Sequence, residues 1–195
     1  MFRKKYSKII VMSVTIFILS TSMAFSVEDG FVAAKKIPGK HFTIIYESGV
    51  DILALTEQLN IGLSDRLLAG KNTETKFSPE QELAEMLDTL FIRVCDILDM
   101  RLYNSFKCRI KICRNDEKLQ QIYFNLFSND LNSNFPFYVY DFDTIYISAE
   151  NFTSAVIGHE IAHAVISHYF VVLPSVKIQE ILAGYVEYQL RKVKK

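Results

Sequence analysis

Hydrophobic and polar residues alternate along the chain in patterns that predict both strands and helices. Residues 40–46 are rich in β-branched and aromatic side chains, which predicts a strand. Residues 50–68 carry isoleucines and leucines at helical spacing, which predicts a helix with an interruption at Gly62. Residues 70–73 are predicted to form the loop that follows.

The sequence Ser78-Pro79-Glu80-Gln81 marks the start of the next helix. Serine is a preferred N-cap, proline is favoured at the first helical position, and glutamine three residues after the cap completes a capping box. The apolar spacing carries this helix to about residue 100. A strand over residues 105–113 and a short helix over residues 116–127 are predicted next.

Two further strand-like runs occupy residues 137–140 and 145–147. The polar residues between them predict a hairpin turn at residues 141–144. The predicted order is strand, two helices, strand, helix, hairpin and two final helices. This order indicates an α+β domain in which a small mixed β-sheet packs on helices.

The most informative motif lies in residues 152–170, which lack proline and have helical spacing. His159-Glu160-Ile161-Ala162-His163 in this segment reads H-E-x-x-H. His159 and His163 project from one face of a helix, where two imidazoles can bind one zinc ion. Glu160 lies about 100° round the helix. It is therefore expected to border the metal and to take a proton from a zinc-bound water.

A hydrolytic zinc site has three protein ligands and one open position, so a third ligand is expected. A second helix is predicted after Pro174, with Ser175 as its N-cap. Glu180 falls in the second turn of this helix. Ala183 and Gly184 lie on the same face, and small residues there are expected to let the two helices approach closely. Glu180 is therefore the candidate third ligand.

H-E-x-x-H followed by the E-x-x-A of Glu180 and Ala183 resembles the gluzincin branch of the zincin metallopeptidases. The compact size is similar to that of minimal gluzincins and peptidase MA-like proteins. The resemblance implies a zincin-like fold with an active-site helix and a glutamate helix, one zinc ion, and a peptide or protein substrate. It also implies that one hairpin strand borders the cleft, although an ordinary core hairpin is the alternative.

The sequence departs from that family at two places. Glu180 follows His163 by 17 residues, which is a short gap for such enzymes. Gly184 stands where thermolysin-like members carry an aspartate that orients a histidine. Glu187, seven residues after Glu180 and on the same helix face, is a candidate for that orienting role. Glu187 is also the alternative to Glu180 as the third ligand.

The expected activity is that of a zinc-dependent endopeptidase with Glu160 as general base. Tyr185 and Tyr188 are candidate donors to the oxyanion, together with Tyr138 and Tyr140. Two other functions remain open at this stage. One is a non-catalytic secreted protein in which zinc only braces two helices, and the other is a zinc hydrolase that acts on cell-wall or other amide bonds.

Residues 1–26 have the pattern of a secretory signal, with four basic residues, an apolar run and small residues before a cleavage point expected after Ser26. An uncleaved anchor formed by residues 9–21 is the alternative, and it is the only membrane contact expected. Residues 27–195 are expected to form one domain, exported to the periplasm or the exterior. Removal of the signal changes the net charge from 0 to about −4, which argues against non-specific nucleic-acid binding.

Several residues outside the motif also receive an interpretation. Cys95, Cys108 and Cys113 are interpreted as buried free thiols, with a disulfide from Cys95 to either of the others left open. His41 is interpreted as a surface histidine and His168 as a helix-end histidine. Residues 27–40 are a candidate for a segment that blocks the cleft before activation.

Overall fold

The computed structural model describes residues 29–61, 77–102, 104–129 and 135–192. These residues have the α+β fold expected from the sequence, with a five-stranded sheet and five helices. The strands are β1 (Lys35–Pro38), β2 (Phe42–Tyr46), β3 (Cys108–Cys113), β4 (Phe137–Val139) and β5 (Thr144–Ser148). The helices are α1 (Ile52–Leu59), α2 (Pro79–Leu98), α3 (Asp116–Phe127), α4 (Ser154–Tyr169) and α5 (Val176–Lys192).

The sheet has the order β1-β2-β3-β5-β4. The three central strands β2, β3 and β5 are parallel, and the edge strands β1 and β4 are antiparallel to their neighbours. The register aligns Ile44, Ile110 and Ile145 across the central strands, and all three are fully buried. This face of the sheet packs against a core shared by α1, α2, α4 and α5, whereas α3 covers the opposite face.

Capping interactions fix the predicted helix starts. Ser78 Oγ accepts the N–H of Gln81 at 3.3 Å, and Gln81 Oε1 accepts the N–H of Ser78 at 3.0 Å, so the capping box of α2 is confirmed. Helix α1 ends earlier than predicted, because Asn60 adopts a left-handed conformation with φ 44°. Residues 62–68 and the predicted loop at residues 70–73 lie outside the described residues.

The sequence pattern did not predict β1. This four-residue strand pairs with β2 at the sheet edge opposite β4, and three of its four residues are exposed. An exposed edge strand has no alternation of buried and polar residues that would reveal it. Residues 35–38 lie at the far edge of the sheet from β4, so this part of residues 27–40 does not block the cleft, while residues 27 and 28 lie outside the described residues.

His41 is buried rather than on the surface, so that interpretation was wrong. Only 2 % of its surface is accessible, and its ring lies 4.4 Å from that of Phe91. The carboxylate of Asp88 accepts the backbone N–H groups of Lys40 and His41 at 3.0 and 2.8 Å. These bonds pull the chain into the core just before β2. Burial lowers the pKa of His41.

All three cysteines are buried and free, as the sequence indicated. Cys108 and Cys113 lie at the two ends of β3 and enter the cores on opposite faces of the sheet, so they cannot pair with each other. Burial raises the pKa of Cys95 to about 12. Within the described residues, none of the helices has both the length and the apolar composition that crossing a bilayer requires.

Candidate metal centre

Helices α4 and α5 bring the two histidines of the motif together with Glu180. The Nε2 atoms of His159 and His163 lie 3.2 Å apart. One carboxylate oxygen of Glu180 lies 3.5 Å from Nε2 of His159, and the other lies 3.5 Å from Nε2 of His163. Three potential ligand atoms, two nitrogens and one oxygen, are thus close enough together to contact a single cation.

The spacing of these atoms fits a zinc ion. Tetrahedral zinc with bonds of about 2.0–2.1 Å holds its ligand atoms about 3.3 Å apart, close to the separations found here. Two imidazoles and a carboxylate are a donor set that zinc prefers. Among the described residues, no fourth histidine, cysteine or carboxylate joins the group. The arrangement therefore leaves the position toward the cleft open, as hydrolytic zinc sites do.

The close approach of α4 and α5 depends on Gly158 rather than on Gly184. A Cβ atom on Gly158 would lie 2.2 Å from Cδ1 of Leu190, so any larger residue would displace the Leu190 side chain where α5 crosses α4. A Cβ atom on Gly184 would meet no atom within 4 Å. The predicted packing role of Gly184 is therefore wrong. Ala183 does fulfil the prediction, because it is fully buried in the shared core.

A carboxylate behind His159 orients its imidazole ring. Oε2 of Glu187 lies 3.2 Å from Nδ1 of His159, on the side of the ring away from Glu180. Nε and Nη2 of Arg191 donate to Oε1 of Glu187 at 3.1 and 2.5 Å. The structure thus places Glu187 behind a ligand, the position of an orienting carboxylate. The link to Arg191 is an i, i+4 pair that the sequence contains but that was not singled out.

A further residue at the cleft was missed. Gln179 lines the cleft next to Glu180, and its Nε2 donates to the carbonyl of Pro174 at 2.8 Å. Burial lowers the pKa of His163, and the charge of Glu180 only partly offsets this effect. The neutral imidazole that results is the form that binds metal ions. Its position next to Glu180 in the sequence was the only signal that Gln179 lies near the site.

Glu160 lines the same cleft but is far more buried than Glu180, the candidate third ligand. Its side chain is almost wholly enclosed, whereas 56 % of the Glu180 side chain is accessible. Burial raises the pKa of Glu160 well above its usual value, and the negative charge of Glu180 raises it further. The backbone of Tyr138 acts in the opposite direction and lowers the pKa of Glu160.

The cleft in front of the metal centre has a volume of about 660 Å³. One wall is the metal centre, and the other is edge strand β4 with the residues that flank it. Apart from the metal centre, most of the cleft wall is apolar or aromatic. The residues that supply this part are Phe135, Pro136, Phe137, Tyr138, Tyr140, Val156 and Leu173. The hairpin strand that the resemblance places beside the cleft is thus β4, at the sheet edge.

The four candidate tyrosines divide into two pairs. Tyr185 and Tyr188 lie on the outward face of α5, about half exposed, and neither lines the cleft. The structure therefore corrects their assignment as oxyanion donors. Tyr138 and Tyr140 both line the cleft. The hydroxyl of Tyr138 is engaged, because it donates to Asp143 at 3.0 Å and lies 2.9 Å from Ser167.

His168 has a structural contact at the end of α4. Its Nε2 lies 3.0 Å from Oδ1 of Asp143, the same oxygen that Tyr138 contacts. Asp143 thereby joins the C-terminal end of α4 to the β4–β5 hairpin. This joint holds the edge strand beside the cleft, which agrees with the interpretation of His168 as a helix-end histidine.

The residues of the H-E-x-x-H motif and Glu180 thus meet at one place, with Glu187 immediately behind them. Comparisons with protein-family models, with curated proteins and with solved structures found no significant match to this chain. The motif and the geometry of the site are therefore the features of this chain that indicate a function.

Proposed function

We propose that the protein is an exported zinc-dependent endopeptidase. The observation that carries the proposal is the convergence of His159, His163 and Glu180, whose ligand atoms lie 3.2–3.5 Å apart at the wall of an open cleft. Such a site with an open side suits hydrolysis better than a purely structural role, because structural zinc has four protein ligands. The export signal in residues 1–26 is part of this proposal.

A zinc ion in this site would supply a Lewis acid that activates water and polarises a carbonyl group. The chain supplies the proton transfers. Glu160, enclosed at the wall of the cleft, takes the proton of the attacking water and passes one to the departing amine. Glu187 holds the imidazole of His159 in a fixed orientation. Tyr140 is the remaining tyrosine at the cleft that can donate to the oxyanion.

A polypeptide substrate fits the cleft because its wall is an edge strand. Strand β4 pairs with β5 on one side only, and among the described strands none pairs with its other side. An extended peptide can add to such an edge through main-chain hydrogen bonds. The aromatic and aliphatic residues along β4 offer contacts to apolar substrate side chains.

The alternative of a zinc ion that only braces two helices has less support. Helix α5 is already held against α4 by Ala183, Val186 and Leu190, all of which are buried. Leu190 also packs directly onto Gly158. Since packing alone joins these helices, a metal brace would add little stability to the fold. A bracing role also does not explain why Glu160 is enclosed at the cleft.

The decisive experiment compares wild type with Glu160→Gln in the full-length chain. Zinc content and digestion of a peptide library are measured with and without a chelator. We expect both proteins to bind zinc, and hydrolysis to fall at least about 100-fold in Glu160→Gln. Glu117→Gln, an exposed position on α3, is the matched control and should retain full activity.

Two results would contradict the proposal. Equal hydrolysis by Glu160→Gln and wild type would remove the general base from the reaction. A fully zinc-loaded wild type that cleaves no peptide would favour the bracing role, or an amide substrate of another class if cell-wall fragments are cleaved instead.

A further inference from the structure

The loop between α4 and α5 and the outward face of α5 form an exposed apolar surface. Val171 and Val172 in the loop are 103 % and 82 % accessible. Four residues of α5 continue this surface, with accessibilities between 48 % and 61 %. They are Ile178, Ile181, Tyr185 and Tyr188. We call these six residues the outer α5 surface. A contiguous apolar surface of this kind is uncommon unless it binds something.

Charges on α5 are segregated between its two sides. Its acidic residues, Glu180 and Glu187, both point to the metal centre, where they contact the histidines. Lys177 and Lys192 are exposed and lie among the residues of the outer α5 surface. Nζ of Lys192 lies 4.2 Å from the ring centre of Tyr188. The outward side of the helix is therefore mainly apolar, and its charged residues are all positive, although the whole chain has a formal net charge of 0.

We propose that the outer α5 surface binds an anionic lipid bilayer. Val171 and Val172 would insert at the boundary of the acyl chains, where aliphatic side chains gain most from leaving water. Tyr185 and Tyr188 suit the headgroup region, because each ring is apolar with a polar end. Lysines on such a surface reach back to anionic headgroups.

A second copy of the chain fits this surface less well. A symmetric dimer places the same patch on both subunits. Lys177 and Lys192 of each copy would then face lysines of the other, and like charges across an interface disfavour association. The acidic residues of α5 cannot compensate, because they face the cleft.

Lipid binding here would bring the cleft to the membrane. Leu173 belongs to the exposed loop and also lines the cleft, so the loop connects the outer α5 surface to the cleft. If the proposed peptidase function holds, the substrates would be polypeptide segments lying at the bilayer surface. This last step depends on the proposed function, whereas lipid binding itself does not.

The test uses single tryptophan reporters, because the chain contains no tryptophan. Val172→Trp reports on the loop. Phe124→Trp on α3, where the native side chain is 52 % exposed on the other side of the sheet, is the matched control. Each full-length variant is mixed with phosphatidylcholine vesicles, with or without phosphatidylglycerol and with brominated acyl chains as quencher.

We expect the emission of Val172→Trp to shift to the blue and to be quenched on the anionic vesicles, and that of Phe124→Trp to stay unchanged. Adding Lys177→Gln and Lys192→Gln to the reporter should weaken partitioning roughly 30-fold. The same quenching is expected with a chelator and in Glu160→Gln, which separates this result from peptidase activity.

Three results would overturn the inference. The first is an unquenched Val172→Trp. The second is equal quenching of both reporters, which would show membrane contact through another part of the chain. The third is a blue shift that grows with protein concentration without lipid, which would assign the surface to a second copy of the chain.

Discussion

Glu187 contacts His159 through Nδ1, the ring nitrogen that does not face Glu180, at a distance of 3.2 Å. The two carboxylates therefore lie on opposite sides of one imidazole. Glu180 is positioned as a ligand and Glu187 as the group that orients the ring. This relationship distinguishes the two assignments that the sequence left open for the third ligand.

The first prediction ranks these two carboxylates. Glu180→Ala should remove most of the zinc affinity, because it deletes a ligand. Glu187→Ala should lower the affinity by about 10–100-fold, which is the usual effect of losing an orienting partner. Competition with a fluorescent chelator measures both. If Glu187→Ala proves the more damaging change, Glu187 is the ligand and the geometry described here is wrong.

The second prediction uses two glycines as a matched pair. Gly158→Ala would force a Cβ atom against Leu190 and should destabilise the fold by about 1–3 kcal/mol. Gly184→Ala meets no neighbour and should stabilise it by about 1 kcal/mol, through helix propensity.

Urea unfolding would measure both changes in the free energy of unfolding. The variants are compared without metal, because bound metal would add its own contribution to stability. Gly158→Ala should also weaken zinc binding, since α5 carries Glu180. Changes of the same sign in the two variants would contradict the packing described for these helices.

The third prediction concerns Asp29, which accepts bonds from the N–H of Phe31 at 2.9 Å and the hydroxyl of Tyr146 at 2.7 Å and pairs with Lys111. Burial raises its pKa, but the bonds from Lys111, Tyr146 and Phe31 together outweigh burial, so the pKa lies below the usual value for an aspartate. A carboxyl group whose pKa is lower in the folded than in the unfolded state stabilises the fold at pH values above its unfolded-state pKa. This stabilisation is lost as the pH falls through the folded-state pKa.

Asp29→Asn should therefore lower the free energy of unfolding at pH 7 by about 2 kcal/mol. The difference from wild type should narrow as the pH falls below about 4. Urea unfolding from pH 7 to pH 3 measures it, with Asp141→Asn at an exposed position as the control. A difference that does not change with pH would show that the charge of Asp29 is not what stabilises the fold.

Local sequence information predicted the features that depend on a few neighbouring residues. The capping box at Ser78, helix α3 and the H-E-x-x-H helix all depend on contacts within one or two turns, and all three formed as expected. The buried parallel strands were also recognisable, because their apolar runs differ from those of the helices.

Features that depend on how distant elements meet could not be predicted. The sequence has glycines in both site helices, but only the crossing point of α4 and α5 decides that Gly158 packs and Gly184 does not. Strand β1 depends on pairing with β2. The burial of His41 depends on Asp88, which lies 47 residues away in the sequence.

The error over Tyr185 was avoidable from helix geometry. Tyr185 follows Glu180 by five residues, which places it about 140° away on the helix. It therefore faces outward, where it forms part of the outer α5 surface. Glu187, seven residues after Glu180, returns to the same face and reaches His159.

The zinc content of the purified full-length chain tests the central claim most directly. Elemental analysis of wild type, His163→Ala and Glu180→Ala is expected to find about one zinc per wild-type chain and a large loss in both variants. A wild-type chain that carries no zinc after purification and takes none up from buffered zinc solutions would contradict the account.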